Sequence, residues 1–582
     1  PLKLVKTAID FLFPAMVGSS LSTIVIFIPF LLMTGVAGAY FKVLTNTMII
    51  TLVCSFFVTW IGLPIIYIFL SRHKKNQSEV KEKEHHVKKQ RWVNWFILRP
   101  YVSLVIIAAA VLTIIFVPPL LKTGFLPEMD EGSIVLDYTS PPGTSLDETD
   151  RMLREVETII TNEPEVEAYS RRTGTQMGFF ITEPNTGDYL IQLKKKRNKT
   201  TEEVISDLRK KIEATQPALR IDFGQVITDM LGDLMTSVQP VEIKIFGDNQ
   251  QRLQSLSKQV AAVVSNVKGT ADVFDGIVIA GPSVSIEPYY SQLAQYNITP
   301  ASLQFQVQSS LQGNVIGSIL EREQLSPIRM VYPGNRSLNI TGLENQTVFV
   351  PGGKLIPISE LASVKLNPGQ AEVNRENLQS MGVVSARLEG SDLGSVISAI
   401  QKNIAKKISL PQGYHIEYGG DYAQQQQSFK ELLIILITSS LLVFAVILFL
   451  YRQFRIAMII LIVAVLGISG SFLALLITKT PLNVGSYTGL IMIVGIIGEN
   501  AIFTFLQFKQ RALENLGKNM ENSIDEAVIY SISTRLRPKL MTALGAIIAL
   551  MPLALGIGAG AQLHQPLAIA VIGGFLVALP LL

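Results

Sequence analysis

Long apolar segments on either side of one large polar stretch constrain the fold of this chain more than any other feature. Eight runs are long enough to cross a bilayer, which takes about 20 residues of helix. Three precede a stretch of ordinary polar composition, residues 123–429, and five follow it. The sequence therefore predicts eight transmembrane helices that carry a large domain outside the membrane. The runs are residues 14–37, 43–70, 101–121, 431–451, 456–478, 485–508, 539–557 and 566–582.

Composition excludes several classes of function. Hydrophobic residues make up 48% of the chain and charged residues only 16%, whereas soluble domains carry about 25% charged residues. A net charge of +4 argues against nucleic-acid binding, and the single Cys54 rules out a disulfide within the chain. Walker A, His-Glu-x-x-His and Gly-x-Ser-x-Gly patterns are missing, so we expect neither an enzyme nor a cofactor.

Basic residues orient the predicted helices. The loop 71–100 holds nine Lys or Arg against three Glu, and further basic residues lie in the turn 452–455 and in the loop 509–538. Placing these three loops in the cytoplasm satisfies the positive-inside rule and puts residues 123–429 outside. The chain starts at Pro1 without a methionine and stops within an apolar run at Leu582, so we expect a piece of a longer protein.

The outer stretch repeats a strand–helix–strand pattern four times. Each apolar strand is followed by an amphipathic helix and a second strand, and units taken in twos give split β-α-β folds. A β-rich insertion, about 281–375, separates the third unit from the fourth. The predicted fold is thus an α-helical membrane bundle plus a large α+β domain. The units begin with SIVLDYTSP (133–141), DYLIQLKKK (188–196), VEIKIFG (241–247) and GVVSARLEG (382–390).

Glu499 is a carboxyl group near the middle of an apolar run, GIIGENAIFTF (495–505). An ionised group at the bilayer centre costs roughly 2.5–3.5 kcal/mol on insertion scales, so Glu499 needs a partner or a proton. Placing Glu499 at a membrane interface instead would leave half of the apolar run outside the bilayer. The next apolar segment supplies Lys539 at its inner start, with Thr542 about one turn deeper. Pairing of Glu499 with Lys539 and snorkelling of Lys539 to the cytoplasm both remain open.

Two candidate sites lie in the outer stretch. TDMLGDLM places Asp229 and Asp233 four residues apart, on one face if this segment is helical, where they form either a cation site or a solvated acidic face. The apolar middle of the loop 173–188 either lines a substrate cleft or belongs to a core. Its three large apolar side chains are Met177, Phe179 and Phe180.

The chain resembles the resistance-nodulation-division exporters, the proton-driven inner-membrane pumps of Gram-negative bacteria, and in particular their heavy-metal branch. The resemblance runs essentially end to end. It implies that the eight runs are the family's spans five to twelve, with the last one truncated. The matching stretches are FLPEMDEG (125–132), PPGTSL (141–146), PLNVGSYTGLIMIVGIIGENAI (481–502), RLRPKLMT (535–542), MPLALGIGAGA (551–561) and QPLAIAVIGG (565–574).

The resemblance also implies a domain plan. Two periplasmic porter subdomains and a docking insertion lie between two groups of transmembrane helices. The boundaries are 1–122 for the first helices with cytoplasmic loop 71–100, 123–240 for one porter subdomain, 241–280 and 376–429 for the other, 281–375 for the docking insertion and 430–582 for the last helices.

The resemblance implies a proton relay of Glu499, Lys539, Arg535 and Thr542, completed by fourth-span acids that would precede Pro1. The methionine triad of copper and silver exporters is not reproduced, because Asp137 and about Thr186 occupy two of its positions and the third has no clear methionine match. A soft-metal site is therefore disfavoured, whereas oxygen ligands suit harder cations such as zinc, cobalt or nickel. Asp229, Asp233 and Asp137 are the candidate cation ligands.

The implied function is proton-driven efflux of divalent metal cations across the inner membrane. The implied partners are a homotrimer, a periplasmic adaptor, an outer-membrane channel, membrane lipid and protons. One alternative keeps the mechanism and exports drugs, lipids or other amphiphiles. Another, from a different class, is a non-pumping receptor or a protein-translocation accessory.

Overall fold

The computed structural model describes residues 2–71, 91–127, 130–175, 182–227, 229–230, 239–333, 339–369, 371–516, 523–557 and 560–581. Helices make up both ends of the chain, and an α+β region lies between them. The first group contains α1 (Leu2–Phe27), α2 (Gly35–Phe57), α3 (Leu63–Ser71), α4 (Arg91–Leu98) and α5 (Pro100–Phe116). The last group contains α14 (Gly420–Tyr451), α15 (Phe454–Ile477), α16 (Val484–Leu516), α17 (Ser523–Ala554) and α18 (Ala561–Leu581).

Within the described ranges, 6 helices are long and apolar enough to cross a membrane. Two shorter apolar segments, Met16–Leu32 and Pro100–Phe116, occupy the positions of the first and third predicted spans. The prediction of a helical membrane part is confirmed at this level, and the count of eight spans stays a prediction. Several helices extend beyond the predicted runs. α14 begins at Gly420, because its polar first turns continue the same helix ahead of the apolar run at 431, while α16 continues to Leu516 and α17 begins at Ser523.

A four-stranded antiparallel sheet, sheet A, forms the first part of the α+β region in the order β2-β3-β1-β4. Alternate residues of the central strand, Ile134, Leu136 and Tyr138, are buried beneath the two helices that cover one face of the sheet. The opposite face of sheet A is not covered by these two helices. The elements are β1 (Ser133–Thr139), α6 (Leu146–Thr161), β2 (Val166–Thr173), β3 (Thr186–Leu193), α7 (Thr201–Thr215) and β4 (Arg220–Gln225).

A second sheet, sheet B, has the order β13-β14-β5-β15, and β6 pairs with β14. In its core, Val241, Ile243 and Ile245 pack against apolar residues of two helices. Its last strand, β15, ends at Gly419 and α14 starts at the next residue, so sheet B continues into a membrane helix without a loop. The elements are β5 (Val241–Phe246), α8 (Gln250–Val264), β6 (Thr270–Phe274), β13 (Asn374–Glu376), β14 (Gln379–Leu388), α13 (Leu393–Lys407) and β15 (His415–Gly419).

The insertion between β6 and β13 has a small core of its own around Leu293, Val348 and Leu361. In the described part of the insertion, three two-stranded ladders pair β7 with β12, β8 with β9, and β10 with β11. Its elements are β7 (Ser283–Pro288), α9 (Tyr290–Gln295), α10 (Pro300–Gln312), β8 (Asn314–Glu321), β9 (Gln324–Met330), α11 (Ile340–Glu344), β10 (Thr347–Val350), β11 (Lys354–Pro357), α12 (Ile358–Leu361) and β12 (Ala362–Asn367).

Candidate functional site

The helix that carries Glu499, α16, is capped at its N-terminal end and buried along its first half. Asn483 Oδ1 accepts a hydrogen bond from the backbone N–H of Ser486 at 2.9 Å, which caps the first turn. Both residues are fully buried. Farther along, Ile491 and Val494 are also buried, so the first half of α16 is enclosed by other helices.

Glycines allow α1 to approach α16 just before Glu499. A Cβ atom at Gly495 would lie 1.7 Å from Ile26 Cδ1, which is far inside van der Waals contact. One at Gly498 would lie 3.8 Å from Ser22 Oγ. Because small residues permit close helix packing in lipid, these positions account for the tight contact between the two helices.

The half-buried Glu499 is hydrogen-bonded across this contact. Its Oε2 atom accepts a hydrogen bond from Thr23 Oγ1 at 3.1 Å. The same hydroxyl lies 3.0 Å from the backbone carbonyl oxygen of Ser19, within its own helix. A single hydroxyl hydrogen has two acceptors available, so Thr23 can support either an ionised or a protonated Glu499.

The third helix of this site, α17, runs antiparallel to α16. Arg535 Nη2 lies 3.3 Å from Gln507 Oε1, and its guanidinium carbon is 5.5 Å from the Phe503 ring centroid. Because the two helices are antiparallel, a step of one turn forward on α17, from Arg535 to Lys539, matches a step of one turn backward on α16, from Phe503 to Glu499. Lys539 therefore lies level with Glu499. The described ion pairs do not include Glu499 with Lys539, so this pairing stays a prediction.

Thr542 occupies a different environment from the other predicted relay residues. Its side chain is exposed, and its hydroxyl donates to the backbone carbonyl of Pro538 at 2.7 Å. This bond stays within α17, where Pro538 already interrupts the helical hydrogen bonding. The described contacts therefore do not connect Thr542 to Glu499, and its role in a relay stays a prediction.

In the α+β region, one row of charged residues crosses the whole of sheet A. Strand register places Arg172, Asp188, Asp137 and Asp222 side by side on successive strands. Arg172 donates to both oxygens of the fully buried Asp188 at 2.7 Å. Neighbours in register share a face of the sheet, and this face is the one opposite α6 and α7.

Asp137 is the central carboxyl group of this row. Burial, together with the negative charges of Asp229, Asp222 and Asp188, raises its pKa from 3.8 to about 8, whereas Arg387 acts in the opposite direction. Among the described residues, no hydrogen bond or ion pair reaches the carboxyl of Asp137. The group is therefore protonated over much of the neutral range.

Arg387 of β14 joins the row to sheet B. Its Nε atom lies 2.5 Å from Asp222 Oδ1, and its Nη2 atom lies 3.9 Å from Oδ1 of the buried Asp229. Gly224 provides space, because a Cβ atom there would lie 3.2 Å from the guanidinium nitrogens. Asp222 also contacts the side chain of Gln239. Three carboxyl groups thus surround one buried cation at the boundary between the sheets.

A second pair crosses the same boundary. Arg209 of α7 donates two hydrogen bonds of 2.8 Å to Asp272 of β6, whose pKa is nevertheless raised by burial. The guanidinium carbon of Arg220 lies 3.8 Å from the ring centroid of Phe274. A cleft of about 600 Å³ follows this boundary, lined by residues of both sheets.

The predicted site residues of residues 123–429 stay predictions. Asp229 and Asp137 lie on the same charged boundary, but among the described residues no group of three or more His, Cys, Asp or Glu is arranged to hold a metal ion. Their role as cation ligands stays a prediction. Asp233, Met177, Phe179 and Phe180 lie outside the described residues.

Sequence reasoning missed Thr23, Asp188, Asp222 and Arg387. A signal existed for the aspartates, because SIVLDYT, TGDYLIQL and RIDFGQ each place Asp inside an apolar strand, where it is unfavourable. Thr23 offered no such signal, since a threonine in an apolar helix usually bonds to its own backbone.

Apolar helices that enclose a carboxyl group, joined to an α+β region with a charged internal boundary, are typical of a membrane transporter. The family model described as "AcrB/AcrD/AcrF family" matches residues 1–582, and the chain belongs to this family of resistance-nodulation-division transporters. The predicted resemblance is confirmed.

Similar proteins include several named for metal resistance. The cobalt-zinc-cadmium resistance protein CzcA of Cupriavidus metallidurans is 27% identical over 572 residues, which are 95% of this chain and 53% of that protein. The nickel and cobalt resistance protein CnrA of the same organism is 27% identical over 571 residues, 95% of this chain and 52% of its own length. The cation efflux system protein CusA of Escherichia coli K12 is 24% identical over 588 residues, 98% of this chain and 55% of that protein.

The fold also has a close relative among solved structures. A crystal structure described as a heavy metal efflux pump, crystal form II, superimposes with a TM-score of 0.81 at 22% identity, over 98% of this chain and 57% of that one. The chain spans about half the length of the relatives that it matches.

Proposed function

We propose that this chain is part of a proton-driven exporter of divalent metal cations. The observation that carries the proposal is Glu499, a carboxyl group enclosed by membrane helices, hydrogen-bonded to Thr23 and level with Lys539. A group in this position gains or loses its charge with a proton, and the change alters its attraction to neighbouring helices. Lys539, Arg535 and Thr542 complete the proposed relay.

The proposed cargo follows from the relatives and from the chemistry of the boundary between the sheets. CzcA, CnrA and CusA are named for metal or cation resistance and efflux. The predicted ligands Asp137 and Asp229 at this boundary carry oxygen atoms, which suit zinc, cobalt or nickel better than Cu(I) or Ag(I). Drugs or other amphiphiles are the second candidate cargo, favoured by the cleft of about 600 Å³ that combines Phe274 and Leu219 with Arg220.

Export couples the membrane helices to the sheets. Sheet B continues into α14, whose buried face packs on both α1 and α16. Ser439 donates to the carbonyl of Ile26 at 3.0 Å, and Tyr451 donates to that of Ile502 at 2.5 Å. A shift of α16 on proton uptake thus has a direct mechanical connection to the cleft. Opening and closing of the cleft is the proposed export step.

The proposed assembly is a homotrimer in the bacterial inner membrane, with residues 123–429 in the periplasm. An adaptor and an outer-membrane channel complete the export path. Within this plan the eight predicted spans are the family's fifth to twelfth, residues 123–240 and 241–280 with 376–429 are porter subdomains, and residues 281–375 form the docking insertion.

The decisive experiment is survival of a host stripped of its own exporters and carrying the complete gene. Cells with wild type, Glu499→Gln or the exposed control Glu323→Gln are grown on graded zinc, cobalt, copper and silver salts and on amphiphilic drugs. We expect protection against zinc or cobalt that is lost only in Glu499→Gln. Drug protection alone would establish the second cargo. Unchanged protection in Glu499→Gln would favour a non-pumping receptor and overturn proton coupling at this residue.

A further inference from the structure

We propose that Thr23 is a positioning residue for the proton-binding carboxyl of Glu499. In this proposal, α1 supplies the hydroxyl groups that lie next to this carboxyl as it gains and loses its proton. The inference rests on the proposed function and adds a helix to the relay. When Glu499 is ionised, Thr23 donates its hydroxyl hydrogen to Oε2. When Glu499 takes up a proton from the outer aqueous phase, Thr23 keeps its own hydrogen and turns it toward the carbonyl of Ser19.

Both acceptors are already in place. The distances from Thr23 Oγ1 are 3.1 Å to Glu499 Oε2 and 3.0 Å to the Ser19 carbonyl oxygen, so the exchange needs only a rotation of the hydroxyl hydrogen. The acceptor in the second state is part of the backbone of α1. The protonated state therefore leaves no hydroxyl hydrogen of Thr23 unsatisfied in a region where that would be costly.

A second hydroxyl lies on the same side of α1. Ser22 Oγ is completely buried and has no hydrogen-bond partner among the described residues. It lies against α16 at Gly498, the residue that precedes Glu499. Buried hydroxyls normally have a partner, so the unsatisfied hydroxyl of Ser22 adds a second available polar group to the surface of α1 next to Glu499.

The remaining helices around Glu499 contribute different groups. From α17 come the cations Lys539 and Arg535, and Arg535 is engaged by Gln507. From α14 comes Tyr451, whose hydroxyl is occupied by the carbonyl of Ile502. Among the described contacts, the hydroxyls that reach the Glu499 carboxyl both come from α1: Thr23 donates at 3.1 Å, and Ser19, one turn earlier, also acts on it.

The test measures protonation of Glu499 directly. Full-length protein in lipid vesicles is treated with dicyclohexylcarbodiimide, which reacts with protonated carboxyl groups in the membrane, and the peptide containing Glu499 is quantified across pH. Thr23→Val keeps the shape but removes the donor that favours the ionised form. We expect its labelling midpoint to move upward by about one pH unit, because a hydrogen bond to a charged group is worth roughly that much.

Two further variants separate the hydroxyl from packing. Thr23→Ser restores the donor and should return the midpoint to that of wild type. Thr47→Val makes the same substitution at an exposed position of α2, where the hydroxyl bonds to the Val43 carbonyl, and should leave the midpoint unchanged. An unchanged midpoint in Thr23→Val, or an equal shift in Thr23→Ser, would overturn the inference. Normal export by Glu499→Gln would instead overturn the proposed function, so the two failures are distinguishable.

Discussion

Arg387 of β14 and Asp222 of β4 form an ion pair of 2.5 Å that joins sheet B to sheet A. The side chain of Arg387 is 8% exposed and that of Asp222 is 24% exposed, so both charges are largely removed from water. Asp137 and Asp229 lie close enough for the same guanidinium to act on them electrostatically. One arginine therefore balances carboxyl groups of β1, of β4 and of the segment that follows β4.

Replacing Arg387 with methionine should loosen this boundary. The substitution leaves Asp222 and Asp229 without their cation, and breaking a buried pair from one side costs about 3 kcal/mol. Amide hydrogen exchange of β4 and β14 should accelerate about 100-fold as local opening becomes easier. Lys365→Met is the matched control, because Lys365 and Glu287 form a pair that is more than half exposed. Equal exchange rates in the two variants would contradict the assigned role of Arg387.

Asp137 should make stability depend on pH in a defined direction. Its pKa is raised from 3.8 to about 8 in the folded protein, so the folded state holds the proton more tightly than the unfolded state. The stabilising contribution of the protonated group is complete below about pH 4 and is lost as pH rises through about 8. Thermal unfolding of Asp137→Asn and wild type should therefore diverge with rising pH, and the variant should be the more stable at pH 9. A constant difference from pH 5 to pH 9, as expected for the exposed control Glu323→Gln, would show that Asp137 does not titrate in this way.

Lys539 can be tested for a relay role against simple snorkelling. If it acts on Glu499 from the same level of α17, Lys539→Met should abolish export in the full-length protein while leaving its amount in the membrane unchanged. The reason is that the carboxyl loses the nearby cation that favours its ionised state. Lys509→Met, in the C-terminal part of α16, is the matched control and should retain export. Metal resistance of the Lys539 variant at the wild-type level would favour snorkelling.

The contact between α1 and α16 should be sensitive to one methyl group. In Gly495→Ala the new Cβ atom falls 1.7 Å from Ile26 Cδ1, so α1 must move away or the isoleucine must change rotamer. We expect a loss of stability of about 1–3 kcal/mol and weaker export, because overpacking displaces Thr23 from Glu499. Adding Ile26→Ala should recover part of both, and double-mutant analysis of melting temperatures measures the coupling. Additive effects would mean that these two residues do not contact one another.

Local patterns predicted the parts of this structure that depend on local chemistry. Apolar length was enough to locate the membrane helices, and Glu499 was recognisable because a carboxyl in an apolar run demands compensation. The start of α14 was misplaced because residues 420–430 are polar, and hydropathy does not register a helix that continues past the bilayer. The row Asp188–Asp137–Asp222 could not be predicted, because it depends on the register of three strands. The separation of these strands along the chain carries no information on how they pair. Thr23 required the packing of two helices that lie far apart in sequence.

The direct passage from β15 into α14 gives the molecule a lever arm. At about 1.5 Å per residue, the 32 residues of α14 form a rod about 48 Å long, rooted in sheet B at one end and packed beside α16 along the other. A tilt of about 5° at one end then displaces the opposite end by about 4 Å, provided the rod stays straight. A displacement of that size exceeds the diameter of a water molecule, whose radius is about 1.4 Å. Under the proposed mechanism, a small tilt of α14 near Glu499 is therefore enough to widen or narrow the cleft.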